Sequence, residues 1–315
     1  MSLFPRNWST RTGTGLVLLG LTLGLAGPWI APFDPDRPLD PVAGAHLAPG
    51  SERILVETDL GPYLVERLEM SPDLLRVRHG GETKLLPVER LERDPRRVTL
   101  WAGTDRYGRD LLSRILWGAR VSLRVALLAG VLALALGIAV GSLAAFGGRF
   151  LDGILMRVAD GLLAFPRIFL ILAAAGFWAA GETVVILVLG LTGWMEAARL
   201  TRTELLRLRN ETHAQAARAS GIPTSRLFLR HLVPLALPPI LVLSALRIGD
   251  TILAEATLSF LGFGIQPPTA SWGNLVADGQ DVLLSAWWVA TLPGLAIGAT
   301  VLGFTLLAEG WREEA

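Results

Sequence analysis

The stretch that decides the fold is Glu211–Pro234, which reads ETHAQAARASGIPTSRLFLRHLVP and lies between two apolar segments. Its first half is rich in alanine, so a helix formed there has little bulk and lets another protein approach its backbone closely. Gly221 can adopt the left-handed conformation that ends a helix. Pro223 suits the first turn of a following helix because it has no N–H to lose there. The stretch therefore predicts a polar helical hairpin with a sharp corner at Gly221, held in water by a membrane protein as a docking surface.

The composition sets the class of protein around this hairpin. The chain has 315 residues, 51% of them hydrophobic, which indicates a polytopic membrane protein. A net charge of +1 gives no reason to expect nucleic acid as a partner, and the absence of cysteine excludes disulfides and thiolate chemistry. Lys84 is the single lysine and does not lie in a Gly-Lys-Ser/Thr motif, so this chain cannot bind ATP through a P-loop.

Six apolar runs predict six membrane-spanning helices, because a bilayer core needs about 20 helical residues. These runs cover residues 15–33, 125–146, 151–180, 183–198, 234–260 and 282–308. An amphipathic segment, Leu111–Arg124, precedes the second run, and Pro166 should kink the third. Within the second run a stripe of small residues, Ala133, Gly137, Gly141 and Ala145, is suited to close helix packing.

Arginines set the predicted orientation of these helices. Arg6 and Arg11 precede the first run, and residues 199–230 form the richest short basic segment next to the membrane. The positive-inside rule therefore places both termini and the Glu211–Pro234 hairpin in the cytoplasm. A cleaved signal peptide is the alternative for the first run, but Pro28 and Pro32 stand where a cleavage site would be expected.

Residues 34–102 are predicted to form a polar extracytoplasmic segment. A proline-rich linker leads into five short runs with strand-like patterns, and Gly80-Gly81 is a strong hairpin signal between the third and fourth. The runs are Arg53–Glu57, Tyr63–Glu69, Leu74–His79, Thr83–Val88 and Arg97–Trp101. We expect a small β-rich module, too small for a strong core of its own. The module could be an addition to a long loop without a function of its own, or it could help a partner protein dock; the sequence leaves both open.

The hairpin resembles the cytoplasmic "EAA" loop of ABC importer permeases, which reads Glu-Ala-Ala, three residues, Gly, nine residues, then Ile-x-Leu-Pro. Here the corresponding residues are Gln215-Ala216-Ala217, Gly221 and His231-Leu232-Val233-Pro234. Gln replaces the first Glu, and His-x-Val replaces Ile-x-Leu. The acid that this family uses for docking is therefore missing, while the corner is retained.

Further motifs extend the resemblance over residues 103–310, in the order found in permeases of the dipeptide, oligopeptide and nickel importers. They are Gly103-Thr104-Asp105 with Gly108-Arg109-Asp110, Leu163-Ala164-Phe165-Pro166, the run from Glu255 to Pro268, and Ser271-Trp272-Gly273-Asn274. The chain is most similar to the second, C-type permease of such systems. Residues 50–102 depart from the pattern, because these permeases normally have only a short connection there.

The resemblance implies an all-α polytopic membrane protein with six transmembrane helices of the type I ABC importer permease architecture and a small β-rich extracytoplasmic insertion. It divides the chain into residues 1–33, the cytoplasmic N-terminus and first transmembrane helix; 34–102, the linker and β-rich module; and 103–315, a five-helix core with a coupling loop at 199–231.

The implied function is transport without catalysis in the cytoplasmic membrane of a bacterium or archaeon, with a peptide, nickel or another small solute as cargo. The implied partners are a second, paralogous permease, two cytoplasmic ATPase subunits, an extracytoplasmic solute-binding protein and membrane lipid. This chain would bind no cofactor, and ATP and Mg²⁺ would bind to the ATPases.

The sequence offers three groups of candidate site residues, of which the first is implied by the resemblance, and no catalytic or metal-ligating residue is among them. Those for ATPase coupling are Thr212, Gln215, Ala216, Ala217, Arg218, Gly221 and Pro223. Those for the translocation path are Arg247, Asp250 and Glu255, and those on an external loop are Gln266, Pro267, Pro268 and Trp272.

Charged residues within the apolar runs have two interpretations. Arg157/Asp160 and Arg247/Asp250 are each three residues apart and so share a helix face. They could neutralise each other locally, or Asp250 and Glu255 could line the path and favour an ammonium group or a cation. His213 and His231 flank the corner, but a metal site would need more ligands than the pattern provides.

Two other classes of function compete with the importer subunit. A proton-coupled secondary carrier could use Asp250 or Glu255, although no internal repeat of the kind such carriers often show is visible. An intramembrane enzyme would need a catalytic pair at depth, and the sequence offers none.

Overall fold

The computed structural model describes residues 8–314, apart from the side chains of residues 224, 225, 229, 313 and 314. Arg6, which supports the predicted orientation, lies outside the described residues. The helices are α1 Trp8–Ile30, α2 Leu111–Phe146, α3 Gly148–Leu163, α4 Arg167–Ala175, α5 Glu182–Leu191, α6 Trp194–Arg209, α7 Thr212–Ala219, α8 Thr224–Leu227, α9 Val233–Phe260, α10 Trp272–Gly279 and α11 Trp288–Glu314. The strands are β1 Ser51–Thr58, β2 Gly61–Val65, β3 Arg67–Met70, β4 Leu74–His79, β5 Glu82–Pro87 and β6 Arg96–Leu100.

Within residues 8–314, five helical segments are long and apolar enough to cross a membrane, or up to six if the bent pair α3–α4 counts as one span. The axes of α3 and α4 differ by 91°. The predicted break at Pro166 is therefore present, and the bend there is sharper than a simple kink; a single broken span over residues 151–180 and a re-entrant pair both fit this geometry. The residue before a proline avoids the helical region, and proline has no N–H to donate, so α3 ends before Pro166 and α4 starts directly after it.

The bounds of other predicted spans also differ from those observed. α1 begins at Trp8 rather than residue 15, because the Thr12 and Thr14 hydroxyls donate to the carbonyls of Trp8 and Thr10 and so fit inside a helix. The amphipathic segment Leu111–Arg124 is continuous with the second span in α2.

The later predicted spans differ less from the observed helices. The fourth predicted span is divided into α5 and α6 at Thr192–Gly193. The fifth predicted span agrees with α9 to within one residue. The sixth begins only at Trp288, because residues 280–282 form a 3₁₀ turn ahead of it.

The chain divides into two compact units, which we describe separately. The first unit comprises residues 8–19, 123–258 and 299–314 of the described chain, and the second comprises residues 20–122 and 259–298.

In the first unit, the stripe of small residues on α2 packs closely against α6, as predicted. A Cβ added to Gly137 would collide with Ala197, and one added to Gly141 would collide with the carbonyl of Ala198. Close packing also joins α1 to α11, where Gly303 lies against Leu16 and Gly310 against Thr10. Small residues thus set the separation of these helices.

In the second unit, the predicted β-rich module is present as two three-stranded antiparallel sheets, ordered β2-β1-β6 and β3-β4-β5. Gly80 and Gly81, with φ of +59° and +85°, make the predicted hairpin turn between β4 and β5. The predicted strand Tyr63–Glu69 is divided between β2 and β3, which belong to different sheets.

The module is attached to the proline-rich linker through Asp40, which is fully buried. The Asp40 carboxylate accepts the backbone N–H groups of Val42, Ala43 and Leu64 at 2.9, 2.9 and 3.0 Å, and it lies 2.7 Å from His79 Nε2. The linker therefore forms part of the module's core rather than a loose tether.

Candidate functional site

The corner at Gly221 lies in the first unit and has the geometry that the sequence predicts. Gly221 has φ of +78°. Its N–H donates to the carbonyl of Arg218 at 2.9 Å, and the N–H of Ile222 donates to the carbonyl of Ala217 at 3.2 Å. These two bonds form the Schellman motif, which satisfies the last free carbonyls of α7 and reverses the chain direction.

Pro223 precedes the helix after the corner instead of occupying its first turn. α8 begins one residue later, and the N–H of Leu227 donates to the Pro223 carbonyl at 3.0 Å. Pro223 is therefore in the N-cap position, a difference of one residue from the prediction. A π-turn, Phe228–Leu232, then connects α8 to α9. Such turns are rare and often found at functional sites.

A buried apolar cluster holds this hairpin to the rest of the first unit. It joins Leu205 and Leu208 of α6, Ala214 of α7, Leu227 of α8 and Ala145 of α2. Because these side chains are almost completely buried, α7 and α8 cannot move without displacing the helices they contact.

The hairpin also presents most of the predicted coupling residues on its surface. Thr212, Gln215, Ala216, Arg218, Gly221 and Pro223 are exposed, and Ala217 is half-buried. Gln215 Nε2 donates to the carbonyl of Asn210 at 3.0 Å, a bond that the ionised carboxylate of the usual Glu could not make. The replacement of Glu by Gln therefore adds a contact within the hairpin.

The three predicted path residues lie on α9 in different environments. Arg247 Nη1 lies 3.0 Å from Asp250 Oδ2, and Arg247 also forms an ion pair with Glu196 of α6. Asp250 is exposed, whereas Glu255 is fully buried within the first unit. Arg247 and Asp250 thus form the predicted pair, but Asp250 and Glu255 do not share one environment.

The second predicted pair, Arg157/Asp160, is replaced by a different one. Asp160 pairs with Arg199 of α6. Asp152, about two turns earlier in α3, pairs with Arg202, at 2.6 Å from Nη2 to Oδ2. Long arginine side chains on a packed neighbouring helix compete with the pair on the same helix, so the spacing of three residues does not decide the partner.

The four predicted residues of the external loop do not form one surface. Gln266, Pro267 and Pro268 are exposed. Trp272, however, is 2% exposed and is the first residue of α10, with Nε1 donating to the carbonyl of Ile115 at 3.1 Å. Trp272 therefore begins a helix and does not lie in a loop, because the adjacent cap at Ser271 starts α10.

A buried ionic cluster in the second unit was missed as a site. The fully buried Asp105 carboxylate contacts Arg109 Nε at 2.7 Å and Arg114 Nη1 at 3.1 Å. Asp278 of α10 lies 3.0 Å from Arg106 Nη2, and burial raises the pKa of its carboxyl. The four charges within Asp105–Asp110, so close to an apolar helix, were a signal that they pair internally.

These features together define a class of protein: a polytopic membrane protein whose apolar helices carry an anchored polar hairpin. Residues 137–313 match the family described as binding-protein-dependent transport system inner membrane component, and the chain belongs to that family. The matched region contains the entire hairpin.

Curated relatives agree with this family. A putative peptide transport system permease of Brucella suis biovar 1 (strain 1330) is 43% identical over 211 residues, covering 67% of this chain and 71% of the relative. A dipeptide transport system permease of Alkalihalophilus pseudofirmus is 36% identical, with coverage of 68% and 70%. A di/tripeptide transport system permease of Pseudomonas aeruginosa (strain UCBPP-PA14) is 32% identical over 310 residues, or 98% of this chain and 88% of that protein. This last alignment extends across the β-rich module, so the insertion lies within the span shared with that relative.

Solved structures support the fold alone. A chain from an inward-facing crystal form of the MetNI methionine ABC transporter has a TM-score of 0.53 at 18% identity, covering 64% of this chain and 94% of that one. A chain from the crystal structure of an amino acid ABC transporter has a TM-score of 0.52 at 14% identity, with the same coverage. The helical arrangement is therefore that of ABC importer permeases.

Proposed function

We propose that this chain is a permease subunit of an ATP-driven importer and forms half of the translocation pathway for di- or oligopeptides. The observation that carries the proposal is the anchored Gly221 corner within the region matched to the family. The names of the relatives support peptides as the cargo. Nickel or another small solute is the alternative cargo for the same architecture.

The proposed complex contains a second, paralogous permease, two cytoplasmic ATPases that bind ATP and Mg²⁺, and an extracytoplasmic binding protein. Both termini and the hairpin face the cytoplasm in the bacterial or archaeal membrane. The basic segment of residues 199–230 supports this orientation through the positive-inside rule.

The hairpin would couple ATP-driven motion to the membrane helices mechanically. An ATPase would bind the exposed face of α7, which includes Thr212, Gln215 and Arg218. The Schellman bonds fix α7 to the segment that follows, and the buried cluster joins both to α6 and α2. A displacement of α7 would therefore be transmitted as a movement of whole helices instead of being absorbed at the corner.

The test is uptake of a labelled dipeptide by cells that lack their own peptide importers and express the complete system from the neighbouring reading frames. We expect uptake that requires this chain and is abolished by a Walker-motif substitution in the ATPase. Uptake by this chain alone in purified vesicles would refute the proposal in favour of a secondary carrier. Accumulation of Ni²⁺ without any dipeptide would support the alternative cargo.

A further inference from the structure

A second polar feature of the first unit lies where α3 ends and α4 begins. A cavity of about 260 Å³ is lined there by residues of α3, α4, α6, α9 and the connections between them. Its charged lining consists of Arg167, Glu196 and Arg247, and most of the remaining wall is apolar, including Leu163, Leu170 and Met195. Mostly apolar walls with a few convergent polar groups are typical of ligand sites.

The charges in this cavity are distributed unevenly. Arg247 is held between two carboxylates, those of Glu196 and Asp250. Arg167 is half-buried, and among the described residues no carboxylate oxygen lies within 4.0 Å of its guanidinium. Its Nε atom is buried and has no hydrogen-bond partner among them. Arg167 therefore has donors for which the described protein supplies no acceptor.

A closely packed glycine lies beside Arg167. A Cβ added to Gly193 would lie 2.9 Å from the Leu189 carbonyl, 3.0 Å from Ala133 Cβ and 3.7 Å from Arg167 Nη2. The neighbouring Thr192 hydroxyl, which also lines the cavity, is already bonded to the carbonyl of Val188 at 2.7 Å. On this wall of the cavity, the Arg167 guanidinium thus has donors available for a ligand, whereas the Thr192 hydroxyl does not.

An arginine with free donors beside an apolar cavity suits a carboxylate. Guanidinium binds carboxylate through two parallel N–H···O bonds, a geometry that a lysine ammonium cannot provide. A cavity of about 260 Å³ is at the small end for a whole ligand, but it accommodates a terminal carboxylate with one side chain beside it. A charge at membrane depth is costly unless it is compensated, so binding an anion would relieve an existing cost.

We propose that this cavity is a transient subsite in the permease that binds the C-terminal carboxylate of a transported peptide through Arg167, with the last side chain of the peptide against Leu163 and Leu170. The proposal rests on the proposed function, because it assumes a peptide as the cargo. The anionic headgroup of a lipid presents related chemistry, and the experiment below separates these two sources.

The experiment uses the complete permease–ATPase complex without the binding protein, in nanodiscs of zwitterionic phosphatidylcholine and, in a separate arm without dipeptide, in nanodiscs that also contain anionic phosphatidylglycerol. Thermal stabilisation by alanylleucine and by its C-terminal amide is measured for the wild type, Arg167→Gln and Arg167→Lys. Arg124→Gln is the matched control, because Arg124 is a half-exposed arginine of the same unit, paired with Glu182 at 2.5 Å and remote in sequence from the cavity lining.

We expect alanylleucine, but not its amide, to raise the unfolding temperature of the wild type. Arg167→Gln should increase the half-saturating concentration at least tenfold, since it removes the charge-assisted hydrogen bonds to the carboxylate. Arg167→Lys should recover part of this loss, and Arg124→Gln should behave as the wild type.

Equal stabilisation of the wild type and Arg167→Gln would overturn the subsite, as would equal binding of the amide. If stabilisation depends on Arg167 but comes only from anionic phosphatidylglycerol in the nanodisc, the ligand is a lipid and the peptide assignment is wrong. Dipeptide uptake by the wild-type system is measured alongside. Its absence would refute the proposed function, whereas uptake that is equal in wild type and Arg167→Gln would refute the subsite alone.

Discussion

At Gly221 the backbone conformation, and not a lack of space for a side chain, determines which residues are tolerated. A Cβ built there meets no atom within 4 Å, so a side chain has room, but φ is +78°. An L-residue pays about 1–2 kcal/mol for the left-handed region, and proline cannot reach it because its ring fixes φ near −65°. Proline would also remove the N–H that donates to the Arg218 carbonyl.

We therefore predict a graded response at this corner. Gly221→Ala should retain most of the dipeptide uptake, because the strain is small and the Schellman N–H is kept. Gly221→Pro should abolish uptake while the protein remains in the membrane at a level similar to that of the wild type. Uptake and an immunoblot of the membrane fraction measure the two effects separately. A fully active Gly221→Pro variant would contradict the coupling role of the corner.

Asp110 is a second residue whose effect on stability depends on its immediate surroundings. Its carboxylate accepts the Ser113 N–H at 2.8 Å and the Ser113 hydroxyl at 2.7 Å, and so caps the start of α2. Burial nevertheless raises the pKa of Asp110 above 3.8, and the nearby Asp105 adds to this shift. The native state thus holds this proton more tightly than the unfolded chain does.

It follows that the contribution of Asp110 to stability falls as the pH rises from about 3.8 through the raised native pKa. Asp110→Asn keeps a capping oxygen but has no charge to desolvate. We expect the unfolding temperature of the variant, relative to the wild type in detergent, to increase between pH 4 and pH 7. Asp59→Asn, at an exposed site, is the control. A difference that does not change with pH would show that ionisation of Asp110 costs the fold nothing.

Among the elements, α10 depends most clearly on a single side chain. Asn274 Oδ1 accepts the Ser271 N–H at 3.0 Å, while its Nδ2 donates to the carbonyls of Thr269 and Ile265 at 2.8 and 3.3 Å. The Ser271 hydroxyl accepts the Asn274 N–H, which completes a capping box around the buried Trp272.

Asn274→Ala should therefore destabilise the protein by about 3 kcal/mol, because it leaves buried backbone groups of Ser271 and Ile265 unsatisfied and also removes the bond to the Thr269 carbonyl. The measurement is the free energy of unfolding from denaturant titration in detergent micelles. Asn210→Ala changes an exposed asparagine at the end of α6 and should cost less than about 0.5 kcal/mol. Equal effects of the two substitutions would mean that the cap does not hold α10.

The elements also show which features the sequence could predict. The Gly80-Gly81 hairpin and the Gly221 corner were predictable because each depends on glycine geometry within a few residues. Pro166 located a break, but the 91° angle between α3 and α4 depends on tertiary packing, which the local pattern does not encode.

Partners of charged and aromatic side chains were predicted least well. Asp160 pairs with Arg199 rather than with its neighbour Arg157, and Trp272 is buried against the carbonyl of Ile115, 157 residues away in the chain. Arg167 gave no signal in the sequence, because its unpaired state depends on Arg247 taking the nearby carboxylates.

For the whole molecule, the side of the membrane on which each segment lies depends on the bent pair α3–α4. Between the β-rich module and the Gly221 corner, the chain passes through α2, the bent pair and the segment Glu182–Arg209. If the bent pair crosses the membrane once, there are three crossings and the two regions lie on opposite sides. If it enters and leaves on the same side, there are two crossings and the regions lie on one side.

The absence of cysteine makes this question directly accessible, because a single introduced cysteine is the only site for a maleimide. We predict that Thr83→Cys, on exposed β5, reacts with a membrane-impermeant maleimide in intact spheroplasts. Ser220→Cys, at the exposed corner, should react only after the membrane is opened. The basic segment of residues 199–230 favours this result, since it retains the corner in the cytoplasm. Labelling of both cysteines in intact spheroplasts would mean an even number of crossings, so that α3–α4 is a re-entrant pair, and would place the corner out of reach of a cytoplasmic ATPase.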